Sequence, residues 1–255
     1  MTKVKDIFEY LCRKAPLALQ MDFDNSGFQV GHPDRPVQRA ILSLDVTDAV
    51  ADEAIRVGAS LIVSHHPLIF TPIRAVTDET AGGGRILKLI EHGIAVISMH
   101  TNLDIAEGGV NDALMSVLGA KTEEALDEDG CGRIGTLDVK MSMPDFLQRC
   151  RETLRCEGLR YADAGRPVYR IAVLGGAGAG SLERAADLGC DTFVTADVKY
   201  HQFQTALERK INLIDAGHFC TENPVIPKLA EELSAAFPEV VFSVSAVHGP
   251  IIHYA

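Results

Sequence analysis

The sequence predicts an α/β fold of two similar lobes that arose by internal duplication, with sheets flanked by helices. The segment Arg35–Arg39 recurs 131 positions later as Arg166–Arg170, and apolar and glycine positions after it recur at the same offset. A further apolar segment, with a His-containing segment after it, recurs at an offset near 118. Short apolar stretches also alternate with helical patterns, which is typical of parallel sheets covered on both faces.

The first lobe opens with a helix, because Val4, Ile7, Phe8 and Leu11 fall on one helical face and Pro16 ends the pattern. The elements predicted after it are a strand at Ile41-Leu42, a helix that stops at Gly58, and the strands Leu61–Val63 and Ile94–Ser98. Each strand is a short continuous apolar run, which indicates burial on both faces.

The second lobe repeats this order. Its predicted strands are Ile171–Leu174, Thr192–Thr195 and Ile211–Asp215. The stretch Lys121–Gly135 is rich in Asp, Glu and Gly, which predicts a solvated acidic connection between the copies. We therefore place the first lobe at residues 1–125 and the second at residues 126–255. The lobes could also interlock, with the C-terminal segment returning to the first lobe.

The charge balance excludes some partners. The 255 residues include 24 Lys+Arg against 35 Asp+Glu, a formal net charge of −11. Electrostatic binding to nucleic acid or to an anionic membrane needs clustered Lys and Arg, so we expect neither partner. An aromatic content of 6%, with no Trp, argues against a carbohydrate- or peptide-binding face built on aromatic side chains.

The cysteines and the N-terminal segment predict a cytoplasmic protein. None of the six Cys forms a C-x-x-C pair, which argues against a zinc ribbon or a thioredoxin motif. A chain of this size does not depend on disulfides, so we expect reduced thiols. Charged residues throughout residues 1–20 leave no apolar core for a signal peptide, and no apolar run approaches the roughly 20 residues of a membrane span.

The first candidate site is Ser64-His65-His66-Pro67-Leu68, directly after a predicted strand. Ligands of open α/β sheets bind at the carboxyl ends of the strands. Adjacent side chains on a strand point to opposite faces, so the two imidazoles converge only where the strand gives way to a turn, which Pro67 favours. A polar turn with one capping imidazole explains the motif equally well.

Two further motifs follow predicted strands, namely His100-Thr101-Asn102-Leu103-Asp104 and His218-Phe219-Cys220-Thr221-Glu222. A spacing of four places each His and its carboxylate on one helical face. The simpler alternatives are an N-cap role for Asp104, and a capping residue with an exposed Glu in the second motif.

Together the three motifs predict five metal ligands, namely His65, His66, Asp104, His218 and Glu222. Three imidazoles and two carboxylates without thiolates form a borderline-to-hard N/O set. A catalytic zinc site usually takes three protein ligands and water, so five ligands suit two metals that are roughly 3.5–4 Å apart. We expect two divalent ions per chain (Zn, Fe, Mn or similar), held between the lobes.

Other residues give weaker signals. The loop Gly175–Ser181 could surround a phosphate with backbone N–H groups, but it lacks G-x-G-x-x-G spacing and a Walker Lys, so a tight turn is favoured. Asp197 and His201 are candidate proton-transfer groups, and a structural hydrogen-bonded cluster is the alternative. His248 and His253 have no spaced partner, and no G-x-S-x-G nucleophile elbow is present.

The chain resembles a known family at the three His motifs and at Asp24-Asn25-Ser26-Gly27-Phe28-Gln29-Val30-Gly31. It is similar over nearly its whole length to the short bacterial form of the NGG-one-interacting-factor-three-like proteins, often labelled GTP cyclohydrolase I type 2 homologues. The resemblance implies a dinuclear metal centre at the five ligand positions and a ring-shaped homohexamer. One departure is Phe23, where relatives commonly have Trp.

The resemblance also implies a class of reaction, the opening of the guanine ring of GTP by metal-activated water. We therefore expect a metal-dependent hydrolase that acts on a nucleotide or a phosphorylated small molecule. The alternative is a non-catalytic metal-binding scaffold or regulatory protein that acts through partners, because the sequence identifies neither a general base nor a phosphate loop.

Overall fold

A computed structural model describes residues 1–254 and shows two mixed sheets flanked by helices, which confirms the predicted fold class. The strands, in chain order, are β1 (Gly27–Val30), β2 (Arg39–Ser43), β3 (Leu61–Ser64), β4 (Ala95–Ser98), β5 (Ala120–Ala125), β6 (Arg133–Met141), β7 (Arg160–Ala162), β8 (Val168–Val173), β9 (Thr192–Thr195), β10 (Asn212–Asp215) and β11 (Val241–Val244). The helices, in the same order, are α1 (Val4–Lys14), α2 (Asp48–Val57), α3 (Ala81–Glu91), α4 (Thr101–Ile105), α5 (Val110–Val117), α6 (Met143–Leu154), α7 (Leu182–Asp187), α8 (Tyr200–Glu208), α9 (His218–Glu222) and α10 (Val225–Ala236).

The chain divides into two compact units. The first comprises Met1–Ala106 and Ile226–Gly249, and the second comprises Glu107–Val225 and the segment that starts at Pro250. The division predicted from the sequence, between residues 125 and 126, separates the two duplicated copies and not the two compact units. Both this division and the duplication itself stay predictions.

The sheet of the first unit has the order β1-β4-β3-β2-β11, in which β1 is antiparallel to β4 and the other neighbours are parallel. Every residue of β3 and β4 is buried, so both faces of these strands are covered. On one face Ile41, Ile62 and Val96 pack against buried residues of α2 and α3. This burial explains why the strands read as continuous apolar runs.

Local signals set the ends of the helices in this unit. The helix α1 buries Val4, Ile7 and Leu11 and stops before Pro16, as predicted. The side chain of Thr47 accepts a hydrogen bond from the backbone N–H of Val50 at the start of α2. At its other end the chain turns through Gly58 at φ 69°, a left-handed conformation that favours glycine.

The sheet of the second unit has the order β5-β6-β8-β9-β10-β7. The central strands β8, β9 and β10 are parallel, and their neighbours β6 and β7 are antiparallel to them. On one face Val173 and Ile214 pack in a cluster with Phe146 of α6. On the other face Phe193 and Leu213 pack with buried residues of α7 and α8.

The acidic stretch at residues 121–135 is not a simple connection. Most of it forms β5 and the start of β6, which pair as an antiparallel hairpin at the edge of the second sheet. Arg170 of β8 forms ion pairs with Glu123 and Glu124, so part of the acidic charge is neutralised by another strand of the same sheet. Charged side chains on an exposed edge strand also discourage pairing with another chain, which explains a composition typical of a linker.

Candidate metal centre

Three neighbouring parallel strands of the first unit end in a register of serines. Ser43 of β2 lies beside Ser64 of β3, and Ser64 lies beside Ser98 of β4, with their paired Cα positions matched. The hydroxyl oxygens of Ser64 and Ser98 are 2.8 Å apart. His65 and His66 follow Ser64 directly, and His100 and Asp104 follow Ser98 within six residues, at the carboxyl edge where open α/β sheets place their ligand sites.

The two neighbouring imidazoles converge because β3 ends at Ser64. The chain bends over His65 and His66, and the hydroxyl of Ser64 donates to the carbonyl of His66 at 2.9 Å. The two ring centroids are 5.0 Å apart. The strand therefore gives way to a turn at the position where convergence of adjacent side chains requires it.

His100 completes a group of three imidazoles in the first unit. One ring nitrogen from each of His65, His66 and His100 lies within 4.8 Å of the others, which is close enough to share a metal ion. The ring of His100 lies 5.2 Å from that of His65 and 5.6 Å from that of His66. The sequence motif contained His100, but our ligand set did not include it.

The hydrogen bonds of the rings determine which nitrogen faces the group. His65 Nδ1 lies 2.8 Å from the backbone carbonyl of Met99, and a carbonyl only accepts. His66 Nδ1 lies 2.8 Å from Asp45 Oδ1, which also accepts when ionised. Both Nδ1 atoms therefore carry the proton, and the Nε2 lone pairs are directed to the site, the arrangement typical of metal-binding histidines.

Asp24 holds His100 in the same way. Its Oδ1 lies 2.7 Å from His100 Nδ1, and its Oδ2 accepts from the backbone N–H of Thr101 at 3.0 Å and from the hydroxyl of Ser26 at 2.8 Å. Burial disfavours the charged carboxylate, but these hydrogen bonds outweigh that effect and hold the pKa of Asp24 well below its ordinary value. The charged form of Asp24 is therefore favoured, and its carboxylate orients the third imidazole.

Asp104 lies in α4, one helical turn after His100, as the spacing of four predicts. The N-cap of α4 is His100, so Asp104 does not have the capping role that the sequence left open. Its Oδ1 lies 3.6 Å from His65 Nε2. The carboxylate therefore places a candidate oxygen ligand beside the group of imidazoles.

The second unit carries a separate pair of candidate ligands on α9. His218 Nε2 lies 3.1 Å from Glu222 Oε1, one helical turn away, and Glu222 is buried. The hydrogen bond with Glu222 raises the pKa of His218 to about 9, against the opposing effect of burial. The N-cap of α9 is Gly217, so His218 is not a capping residue.

Asp197, one of the two candidate proton-transfer groups, contacts His218. Its Oδ2 lies 2.7 Å from His218 Nδ1, which leaves Nε2 of that ring to face Glu222. Asp197 adopts a φ of 54°, a left-handed conformation that Asp tolerates better than most residues. The other candidate, His201, is exposed in the first turn of α8.

The glycine-rich loop Gly175–Ser181 forms a tight turn against α9, as expected from its lack of G-x-G-x-x-G spacing. The backbone N–H groups of Gly175 and Gly176 donate to the side chains of Asn111 and Thr221, at 2.9 and 3.0 Å. The N–H of Gly178 donates to the hydroxyl of Thr195 at 3.1 Å. These three donors are engaged within the protein, so they are not a preformed phosphate cradle.

Sequence reasoning missed Asp45 and Asp24, two of the carboxylates that orient the imidazoles. Asp45 follows β2, the strand beside β3, so its position at a strand end was a usable signal. Asp24 lies 76 positions before His100, and nothing in local spacing links the two. The donors present, imidazole nitrogen and carboxylate oxygen, fit a divalent transition metal such as Zn, Fe or Mn.

The fold and these ligand groups define an α/β protein with candidate metal-binding side chains at the carboxyl ends of its strands. The chain belongs to the Duf34/NIF3 (NGG1p interacting factor 3) family, whose profile matches residues 2–250. The resemblance inferred from the motifs is therefore confirmed.

Named relatives and a solved structure agree with this assignment. The GTP cyclohydrolase 1 type 2 homolog of Clostridium acetobutylicum is 36% identical over 242 residues, covering 92% of this chain and 90% of the relative. The protein of the same name from Clostridium perfringens is 35% identical over 238 residues, covering 91% of each chain. The crystal structure of Staphylococcus aureus protein SA1388 superposes with a TM-score of 0.91 at 27% identity, covering 100% of this chain and 99% of that one.

Proposed function

We propose that this protein binds two divalent metal ions and is a metal-dependent hydrolase of a nucleotide or a phosphorylated small molecule. One observation carries the proposal. The Nδ1 atoms of His65, His66, His100 and His218 are each engaged by a backbone carbonyl or a carboxylate. That pattern fixes the tautomer of a neutral imidazole and directs Nε2 to a metal, and a polar turn needs no such arrangement.

The proposed ligands are His65, His66, Asp104, His218 and Glu222, grouped on the chemistry of their donor atoms and on the family resemblance. His100, whose ring nitrogen lies within 4.8 Å of those of His65 and His66, is a further candidate ligand. When bound, two divalent cations would act as Lewis acids and lower the pKa of a water molecule toward neutrality. Asp45, Asp24 and Asp197 hold the imidazole donors in orientation. The set contains no thiolate, which disfavours soft ions such as Cu(I).

The name of the relatives suggests GTP as a substrate to test first. Opening of a guanine ring also needs a group that transfers a proton. His201 stays a candidate for that role because it is exposed at the start of α8. Asp197 is the weaker candidate, since its carboxylate accepts from His218.

Metal content and turnover test this proposal together. Elemental analysis of protein prepared without chelator should give about two metals per chain. Turnover of GTP and of a phosphoester panel, with Mn²⁺, Fe²⁺ or Zn²⁺, should be lost in His65→Ala and kept in His32→Ala, a control at an exposed His outside both ligand groups. One metal or none per chain would contradict the dinuclear centre, and equal turnover by both variants would contradict hydrolysis at this site.

A non-catalytic metal-binding scaffold is the second candidate. The engaged N–H groups of Gly175, Gly176 and Gly178 favour it, because they leave this loop without a phosphate cradle. A closed set of metal ligands with no exchangeable water, observed by spectroscopy of the Co²⁺-substituted protein, would support a scaffold. An open ligand position would support the hydrolase.

We also propose a cytoplasmic homohexamer, following the family resemblance. The measured mass in solution tests this, with six times the 27.5 kDa of one chain as the expected value. The six cysteines form no disulfide among the described residues, which supports a reducing compartment. Within residues 1–254 no helix combines the length and the apolar character needed to cross a bilayer.

A further inference from the structure

Two phenylalanine rings are exposed beside the imidazole group of the first unit. The side chain of Phe23 is 63% exposed and that of Phe70 is 45% exposed. Their ring centroids are 6.4 Å apart, in an edge-to-face arrangement at 62°. Large apolar side chains grouped on a surface mark a binding site more often than isolated ones do. Phe residues make up only a small share of this chain, which is poor in aromatic residues.

The backbone beneath both rings is held in place. Asp24, next to Phe23, accepts hydrogen bonds that tie it to the start of α4. Ile69, next to Phe70, accepts from the side-chain amide of Asn25 and donates its N–H to Gln29 Oε1 at 2.9 Å. The rings are therefore presented to solvent by anchored segments.

The pair also borders the candidate metal ligands. The ring of Phe70 lies 5.9 Å from that of His100, nearly perpendicular at 84°. His100 in turn lies within the group formed with His65 and His66. A ligand that lay against the exposed rings would therefore lie beside the imidazole group.

We propose that Phe23 and Phe70 form a stacking subsite for the planar heteroaromatic ring of a nucleotide-type substrate. The proposal rests on the proposed function, because it assigns a substrate class to the same site. An aromatic ring stacks on any planar π-system and so accepts any nucleobase, whereas an aliphatic surface has no preference for planar rings. The same exposed loop carries Ile73 and Val76, so a second copy of the chain is the competing occupant that the experiment must separate.

The absence of Trp from the sequence allows a single-reporter experiment. Phe23→Trp keeps a large aromatic ring and introduces one indole at the proposed subsite. Tyr161→Trp is the matched control, since Tyr161 is an exposed aromatic residue on the edge strand β7. GMP is the probe, and ribose 5-phosphate supplies the same sugar and phosphate without the ring.

Saturable quenching of Phe23→Trp fluorescence by GMP, with none by ribose 5-phosphate and none in Tyr161→Trp, is the expected result. Adding Phe70→Ala to the Phe23→Trp reporter should raise the Kd for GMP by about tenfold, because a lost stacking partner weakens binding by that order. Equal quenching by both probes, or no quenching, would overturn the proposal. Emission that shifts to the blue with increasing protein concentration, and does not change when GMP is added, would overturn the proposal and indicate that a second copy of the chain covers the two rings.

The stacking subsite and the proposed hydrolase can fail separately. Turnover of a phosphoester without an aromatic ring, lost in His65→Ala, together with no GMP quenching, would remove the subsite and keep the hydrolase. GMP quenching without any His65-dependent turnover would keep the subsite and remove the hydrolase. Metal content of the Phe70→Ala protein serves as the check that the neighbouring imidazole group is intact.

Discussion

Replacement of Gly176 by Ala tests whether the glycine-rich loop positions the ligands of α9. A Cβ atom at Gly176 would lie 2.3 Å from Glu222 Oε1 and 3.2 Å from the imidazole of His218. Gly176 also has a φ of +65°, so an alanine there is strained by its backbone as well. The variant therefore combines a backbone effect with a displacement of the carboxylate.

The displacement is large on the scale of metal coordination. To reach ordinary contact with the new Cβ, Glu222 Oε1 must move by roughly 1 Å. Metal–ligand distances are held within about 0.2 Å, so this movement removes or rebuilds the ligand. Glu222 is buried and its Oε1 lies 3.1 Å from His218 Nε2, which leaves little room for adjustment. We expect a loss of metal affinity of about 10- to 100-fold.

Gly189→Ala separates the two effects. Gly189 has a φ of +77°, and a Cβ there meets nothing within 4 Å. Both variants lose roughly 1–2 kcal/mol of stability from the left-handed backbone, which lowers Tm by roughly 2–8 °C for a chain of this size. Thermal unfolding followed by circular dichroism measures the loss of stability that the two variants share, and competition with a chromophoric chelator measures metal affinity. Equal metal affinity of the two variants would refute the positioning role of Gly176.

Two further predictions concern the residues that orient the imidazoles. Asp45→Asn should lower metal affinity by about 10- to 100-fold, because it weakens the carboxylate partner of His66; Asp48→Asn, at an exposed ion pair, should have no effect in the same competition assay. The pKa of His218 is raised from 6.5 to about 9, so its contribution to stability is present below pH 6.5 and is lost as the pH rises through about 9. Metal-free protein should therefore show a Tm that falls across this window, and Glu222→Gln should flatten the fall; the same slope in wild type and variant would exclude the pair as its source.

Much of the fold follows from local sequence patterns. Continuous apolar runs located β3 and β4, and glycine marked the end of α2 at Gly58. These features depend on periodicity and on turn chemistry, which act within a few residues. The hairpin of β5 and β6 was misjudged because an edge strand and a solvated linker have similar composition, and only pairing with a neighbour distinguishes them.

The candidate site also has a part that local sequence patterns predict and a part that they do not. The spacing of four in His218 and Glu222 predicted a shared helical face, and α9 has both residues within hydrogen-bond distance. The pairings of His66 with Asp45 and of His100 with Asp24 do not follow from local spacing, because the partners lie 21 and 76 positions apart. No local period connects residues at those separations.

The sequence by itself determined which residue types follow the buried strands, since apolar runs end where polar ligands begin. Only the tertiary structure decided which ring nitrogen faces the ligand group. That choice depends on strand register: the alignment of β2 with β3 brings Asp45 to His66 Nδ1, and the pairing of β1 with β4 brings Asp24 to His100 Nδ1. Strand order and register are long-range properties, set by the packing of buried faces rather than by the neighbours of any one residue.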